Sequence, residues 1–145
     1  MTAPKHWPAR LVVGPLMLVA SSAASAVTCD VAPQAVGFGN YDTLGATALD
    51  GVGSILVSCD AETSFTVSID GGNGTVEDRR MTSGAAQLGY NLYRDSTRLM
   101  VWGEGSSGVS SLGTTMDLPV YGAIPALQNV PAGLYADSVM VTVTY

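Results

Sequence analysis

The side chains that most often perform catalysis are almost absent from this chain. Its only lysine and its only histidine are Lys5 and His6, both close to the N-terminus. Beyond residue 26 the chain therefore lacks the imidazole of a Ser-His-Asp or Cys-His site and the amine of a Schiff base. Paired carboxylates remain as the one catalytic option, that of a glycosidase, but their spacing does not indicate which pairs converge. The composition predicts a protein that is not an enzyme.

Two short motifs resemble ligand or modification sites, and each has a simpler interpretation. Residues 103–108 (GEGSSG) match the dinucleotide pattern GxGxxG, which binds a pyrophosphate only where a strand enters a helix. The residues that follow show no helical pattern, so the sequence predicts a flexible loop over residues 103–115. Asn73-Gly74-Thr75 matches a glycosylation sequon, but Asn-Gly is also typical of a tight turn. We expect no cofactor and no metal ion.

Cys29 and Cys59 are the only cysteines in the chain. In an exported protein such a pair predicts a disulfide, which in the simple chain-entropy model stabilises the fold by about 3–4 kcal/mol. A metal site would need further ligands that the sequence does not supply. We therefore predict a structural disulfide between Cys29 and Cys59.

The first 26 residues have the pattern of a secretory signal peptide. A basic start is followed by an apolar run at residues 11–20 and by small residues (SSAASA) at 21–26. The pattern predicts cleavage between Ala26 and Val27, and the apolar run is shorter than the roughly 18–20 residues that a membrane-spanning helix needs. We expect export without membrane insertion, and one domain at residues 27–145.

Removal of residues 1–26 leaves an acidic protein. The remaining chain has four arginines and no lysine against 12 acidic residues, a net charge of −8. Nucleic-acid binding needs clustered cations along the phosphates, and docking on anionic lipid needs a basic patch. The charge therefore argues against both kinds of partner.

Turn residues divide the chain into short segments with the alternation of β-strands. Strands are predicted at residues 53–60, 63–70, 88–95, 98–103 and 117–124, with a turn at 70–74 and a charged surface link at 77–80. No segment has a helical period with a cap. Six or seven short strands of this kind indicate a single β-sandwich domain.

Residues 137–145 (DSVMVTVTY) show the clearest strand pattern in the chain. Val139, Val141, Val143 and Tyr145 fall on one face, and polar or flexible residues fall on the other. No turn or returning strand follows in the sequence. We therefore expect an edge that pairs with another chain.

Several motifs occur in an order that resembles a known family. They are VGFGNYD at residues 36–42, the two cysteines, LGYNLYRD at 88–95, VWGEG at 101–105, VYGAIP at 120–125 and PAGLYADSVMVTVTY at 131–145. Together they are similar to the spore coat protein U domain, which is shared with subunits of archaic chaperone–usher pili of the Csu type. The resemblance covers essentially all of residues 27–145.

The resemblance implies an incomplete immunoglobulin-like β-sandwich that lacks its last strand. A periplasmic chaperone would supply that strand first, and a neighbouring pilus subunit would replace it at an outer-membrane usher. Val139, Val141, Val143 and Tyr145 would then border the groove that receives the donor strand. The implied function is a structural subunit of a fimbrium, exported through the periplasm to the cell surface and used in adhesion and biofilm formation.

The chain departs from the family pattern in the length of the segment before Cys29. Only Val27 and Thr28 would precede Cys29 after cleavage, and at about 3.3 Å per residue they cannot span a groove. We therefore expect a subunit that accepts a strand without donating one in the usual way.

The alternative functions are a tip adhesin that binds sugars or surfaces through loops such as residues 103–115, and a structural protein of a spore or cell coat.

Overall fold

The computed structural model describes residues 26–145, and the regular secondary structure of this part of the chain is almost entirely β-strand. Its strands are β1 (Cys29–Gly37), β2 (Leu49–Ile69), β3 (Arg79–Ser83), β4 (Ala86–Tyr93), β5 (Val109–Ile124) and β6 (Val141–Thr144). One turn of 3-10 helix, Gly105–Ser107, lies between β4 and β5. The predicted all-β fold class is confirmed.

The predicted signal peptide, residues 1–26, lies almost wholly outside the described residues. It and the cleavage site between Ala26 and Val27 therefore stay predictions. Within residues 26–145, no helix has both the length and the apolar character needed to cross a bilayer.

Strand β2 is the centre of the sheet because both of its edges are paired. Along one edge it pairs antiparallel with β5, from Leu49 opposite Ile124 to Val67 opposite Val109. The other edge is shared, since β1 pairs with the first half of β2 and β6 pairs with residues 66–69. Beyond β5 the sheet continues through β4 to β3.

The sheet folds over on itself where the pairing of β2 with β5 shifts, between Ser58 and Thr63. A bulge of this kind bends a strand and increases its twist. Both halves of β2 consequently direct their odd-numbered residues into one core, and the two halves belong to the two layers of a sandwich. The β2 side chains in this core are Ile55, Val57, Cys59, Phe65, Val67 and Ile69.

The prediction of a loop over residues 103–115 is wrong for most of its length. Only residues 103–108 lie outside a strand, and residues 109–115 form the first half of β5. There Val109 pairs opposite Val67, and the hydroxyl groups of Thr66 and Ser110 lie 2.9 Å apart. Ser and Gly are weak strand formers, but the paired backbone of β2 overrides that local preference.

The prediction that residues 77–80 form a charged surface link is correct for Glu77 and Asp78, which are exposed and outside the strands, but wrong for Arg79, which is fully buried and begins β3. Its guanidinium donates five hydrogen bonds of 2.6–3.3 Å. The acceptors are the side-chain oxygen of Asn91 and the carbonyl oxygens of Ile69, Asp70, Val76 and Trp102. Burial lowers the pKa of Arg79, but every N–H has a partner, so this cation joins β2, β3, β4 and the segment after β4.

Other strand predictions differ from the structure in extent. The strands predicted at residues 53–60 and 63–70 are one continuous β2, and β1 was not predicted because its Ala, Pro and Gln residues give no alternation. The strand predicted at residues 98–103 is reduced to a single bridge between Val101 and Tyr93. The terminal strand is shorter than predicted and comprises Val141–Thr144.

The substitution Arg79→Lys should lower the free energy of unfolding by about 3 kcal/mol, because a lysine has three donors and cannot reach acceptors on four segments. Urea denaturation of the oxidised protein measures this loss. The fluorescence of Trp102 reports it, since Trp102 is 1% exposed and donates its indole N–H to Val67.

The matched control is Arg80→Lys, one residue away. Arg80 pairs with Asp78 at 2.6 Å on the surface, so its replacement should change the free energy of unfolding by less than about 1 kcal/mol. Equal losses for the two variants would contradict the structural role assigned to Arg79.

Candidate functional site

A groove with a volume of about 1160 Å³ opens between two walls of the sandwich. The first wall is β1 with the residues that follow it, residues 31–43, and the second wall is residues 130–141. The floor is apolar and comes from the inner faces of β2, β3, β4 and β5. Its side chains are Ile55, Ile69, Met81, Leu88, Tyr90, Leu92, Val120 and Ile124. These eight side chains are each at most 7% exposed, so the walls cover most of the floor.

The disulfide fixes the first wall to β2. Cys29 and Cys59 are joined, as predicted, and lie directly opposite each other where β1 begins. From there β1 pairs with β2 through one edge, but none of its nine residues is buried. Val31, on its inner face, lines the groove and is 37% exposed. The inner face of β1 is therefore only partly covered by the described residues.

The second wall ends in β6, which is paired along one edge only. The N–H of Asp70 donates to the carbonyl of Met140, and the N–H of Met140 donates to the side chain of Asp70. Backbone groups alternate between the two edges of an antiparallel strand. The N–H and C=O groups of Val141 and Val143 therefore point away from β2, toward an edge that no strand within residues 26–145 pairs.

The structure separates the four residues that were predicted to border the groove. Val139 and Val141 line it. Val143 packs against the core farther along β6, and Tyr145 lies beyond the strand and is 54% exposed. Met140, on the opposite face, is 67% exposed, in agreement with the predicted alternation. A role of these residues toward a partner strand stays a prediction.

Phe38, on the first wall, fills a space that two glycines of β2 and β5 leave open. Gly51 and Gly122 are direct partners across β2 and β5, and a Cβ atom on Gly122 would lie 2.6 Å from the Phe38 ring. The ring also meets Tyr90 edge to face, with centroids 6.0 Å apart. Phe38 thereby attaches the first wall to the floor of the groove.

Tyr90 and Asp137 attach the second wall to the same point of the floor. The hydroxyl of Tyr90, which is 7% exposed, donates to Oδ2 of Asp137 at 2.7 Å. Oδ1 of Asp137 accepts the backbone N–H groups of Asn73 and Ser138. Burial and the bond to Asp137 raise the pKa of Tyr90, so its hydroxyl stays protonated and remains a donor. Tyr90 thus contacts both walls.

The residues considered for other chemistry have structural roles instead. The GxGxxG match at residues 103–108 precedes strand β5 and not an α-helix. Asn73, of the match to a glycosylation sequon, lies in the predicted turn. Among the described residues, no three His, Cys, Asp or Glu side chains converge as metal ligands would. The groove is therefore the candidate site with a shaped cavity that we consider further.

Sequence reasoning missed several residues that shape the groove. Phe38 lies in the motif at residues 36–42 but was not assigned a role, and the space that it fills depends on glycines from two distant strands. Asp137 was included in the terminal strand, although the structure places it before β6. Its regular spacing, two residues before Val139, gave no signal of a separate role, because its partners Tyr90 and Asn73 are far away in the chain.

Comparison with known sequences agrees with the resemblance seen in the motifs. The family model of the Spore Coat Protein U domain matches residues 16–142. "Protein U" of Myxococcus xanthus is 37% identical over 125 residues, an alignment that covers 74% of this chain and 70% of that protein.

Comparison with solved structures identifies a similar fold. The match is a chain of the chaperone–tip adhesion subunit pre-assembly complex CsuC–CsuE, from archaic chaperone–usher Csu pili of Acinetobacter baumannii. The TM-score is 0.57 and the identity 27%, over 83% of this chain. The protein described here spans only 40% of that chain's length.

The substitution Tyr90→Phe should lower the free energy of unfolding by about 2 kcal/mol, because it leaves a half-buried carboxylate oxygen of Asp137 without its donor. The control is Tyr121→Phe. It should leave the free energy of unfolding nearly unchanged, because the hydroxyl of Tyr121 makes no hydrogen bond within residues 26–145. Urea denaturation followed by Trp102 fluorescence compares the two. Equal stability of Tyr90→Phe and the unaltered protein would exclude Tyr90 as the anchor of the second wall.

Proposed function

Because this chain belongs to the Spore Coat Protein U domain family, we propose that it is a non-enzymatic subunit of an archaic chaperone–usher pilus. Residues 1–26 direct export, and residues 27–145 form the single domain. The groove accepts a strand from a periplasmic chaperone, and at an outer-membrane usher a strand from another subunit replaces it. The assembled fibre lies at the cell surface and supports adhesion and biofilm formation.

The observation that carries this proposal is the combination of an apolar groove with an unpaired strand edge. Backbone groups at the edge of β6 offer hydrogen bonds to an added strand, and the floor offers space for its alternate side chains. Addition of a strand to an exposed edge uses both features, the first for affinity and the second for specificity. The missing strand of the sandwich would thus be supplied by a partner.

The similar solved structure supports the choice of partners. The complex to which it belongs contains a chaperone and a tip adhesion subunit. That description applies to the Csu complex, and we extend to the present chain only the ability to accept a strand from a chaperone. The fold similarity and the groove together favour a chaperone as the first partner.

A structural protein of a spore or cell coat is the second candidate function. The family name and the 37% identity to Protein U favour it. A coat protein would be extracted with the coat fraction, whereas a pilus subunit would be recovered with sheared fibres. A tip adhesin is a variant of the first function. Of the loop at residues 103–115 that was expected to bind surfaces, only residues 103–108 lie outside a strand.

The purified mature chain should aggregate or unfold readily when it is refolded alone, because one edge of β6 has no pairing strand within residues 26–145 and the inner face of β1 is only partly covered. Refolding with the cognate chaperone, or with a donor peptide, should yield a soluble complex that migrates as one band in electrophoresis until it is heated. A monomer that is fully stable alone, and gains nothing from either partner, would contradict strand acceptance.

The substitution Val141→Asp should reduce capture by the chaperone at least tenfold, because it places a charge against the apolar partner strand at the groove wall. Met140→Asp adds the same charge one residue away, on the exposed face, and should leave capture within about twofold. Co-purification from the periplasm measures both, and Trp102 fluorescence checks that each variant is folded. Equal capture of the two variants would place the partner elsewhere on the protein.

A further inference from the structure

The groove has charges of only one sign along its walls. Asp42 on the first wall and Asp137 on the second wall line it, and no Arg or Lys within residues 26–145 does so. A strand lying between the walls would therefore have a carboxylate on each side. The whole domain adds to this negative potential, since its net charge is −8.

Asp137 has room for one more hydrogen-bond donor. A carboxylate accepts about four hydrogen bonds. Asp137 accepts two at Oδ1, from Asn73 and Ser138, and one at Oδ2, from Tyr90. A strand that covers the groove also removes water from this half-buried charge, which is unfavourable unless the strand brings a compensating donor. A cationic donor offsets that cost best.

Asp42 is similarly placed at the opposite wall. Its Oδ1 accepts the backbone N–H of Leu44, and its Oδ2 has no hydrogen-bond partner within the described residues. The side chain is exposed and lies at the rim of the groove. It can therefore attract a cation at the edge of an incoming strand without prior rearrangement.

Each of the four arginines in the described part of this chain already has a partner within the same chain. Arg79 is buried, Arg80 pairs with Asp78, and Arg98 pairs with Asp50 at 3.2 Å. Arg94 donates to the carbonyl of Gly108. A strand from a second copy of residues 26–145 would thus bring acidic residues toward an acidic groove, at an electrostatic cost.

We infer that the groove selects a strand of a different protein, one that alternates apolar residues and carries cationic side chains facing Asp42 and Asp137. This inference rests on the proposed function, because it specifies the charge of the strand that the groove accepts. It excludes a second copy of residues 26–145 as the preferred donor.

Three synthetic peptides of about ten residues test the inference. Each alternates Ile and Thr, and the ends carry Lys, Glu or Gln. The oxidised mature chain is refolded with each fluorescein-labelled peptide, and binding is measured by fluorescence polarisation. At about 20 mM salt the Lys peptide should bind about tenfold more tightly than the Glu peptide, and at about 500 mM salt the ratio should fall to about twofold or less.

Charge-neutral variants locate the effect. Asp42→Asn and Asp137→Asn should each reduce the Lys-to-Glu ratio about threefold, and Asn at position 137 keeps an oxygen for the two backbone donors. Asp117→Asn removes the same charge from the exposed face of β5, outside the groove, and should keep the full ratio. Trp102 fluorescence confirms that each variant is folded.

The possible outcomes distinguish the charge inference from strand acceptance itself. Equal binding of the three peptides overturns the charge inference but supports strand acceptance. A ratio lowered by Asp117→Asn as much as by Asp42→Asn also overturns it, because net charge alone would then explain the preference. If no peptide binds or improves refolding, strand acceptance itself fails, and the charge inference fails with it.

Discussion

The unequal pairing of the two edges of β2 is the constraint on which the structure depends. One edge is covered along its length by β5, whereas the other is divided between β1 and β6. Because β2 bends between these two partners, β1 and β6 belong to different layers and diverge from the bend. The sandwich is therefore closed on one side and open on the other, and the groove is the direct result of this pairing.

The open side keeps its shape because its walls are attached to the floor. Phe38 and Asp137 both contact Tyr90, one through an aromatic edge and the other through a charged hydrogen bond. Without such attachments the walls would collapse onto the apolar floor, because burying apolar surface lowers the free energy in water. Tyr90 is thus a spacer as well as part of the core.

The sequence predicted features that depend on local pattern and missed those that depend on distant partners. Alternation predicted the faces of the terminal strand, the cysteine pair predicted the disulfide, and Asp-Gly and Asn-Gly predicted the turn before β3. Burial of Arg79 could not be predicted, because its five acceptors lie on segments that only the fold brings together. The polar half of β5 could not be predicted either, because its strand conformation comes from pairing with β2. For the site, the valines of one wall were foreseen, but Phe38 and Asp137 were not assigned.

The attachment of both walls to β2 also has a mechanical consequence. β1 and β6 are each joined to β2 by hydrogen bonds that run across the strand direction, and β1 has the covalent bond at Cys29 in addition. A pull along the groove therefore loads these bonds together, as in shear, and does not open them one after another. Peeling of β1 from its first residue would require a disulfide to break. A domain built in this way resists tension best along the axis of its strands.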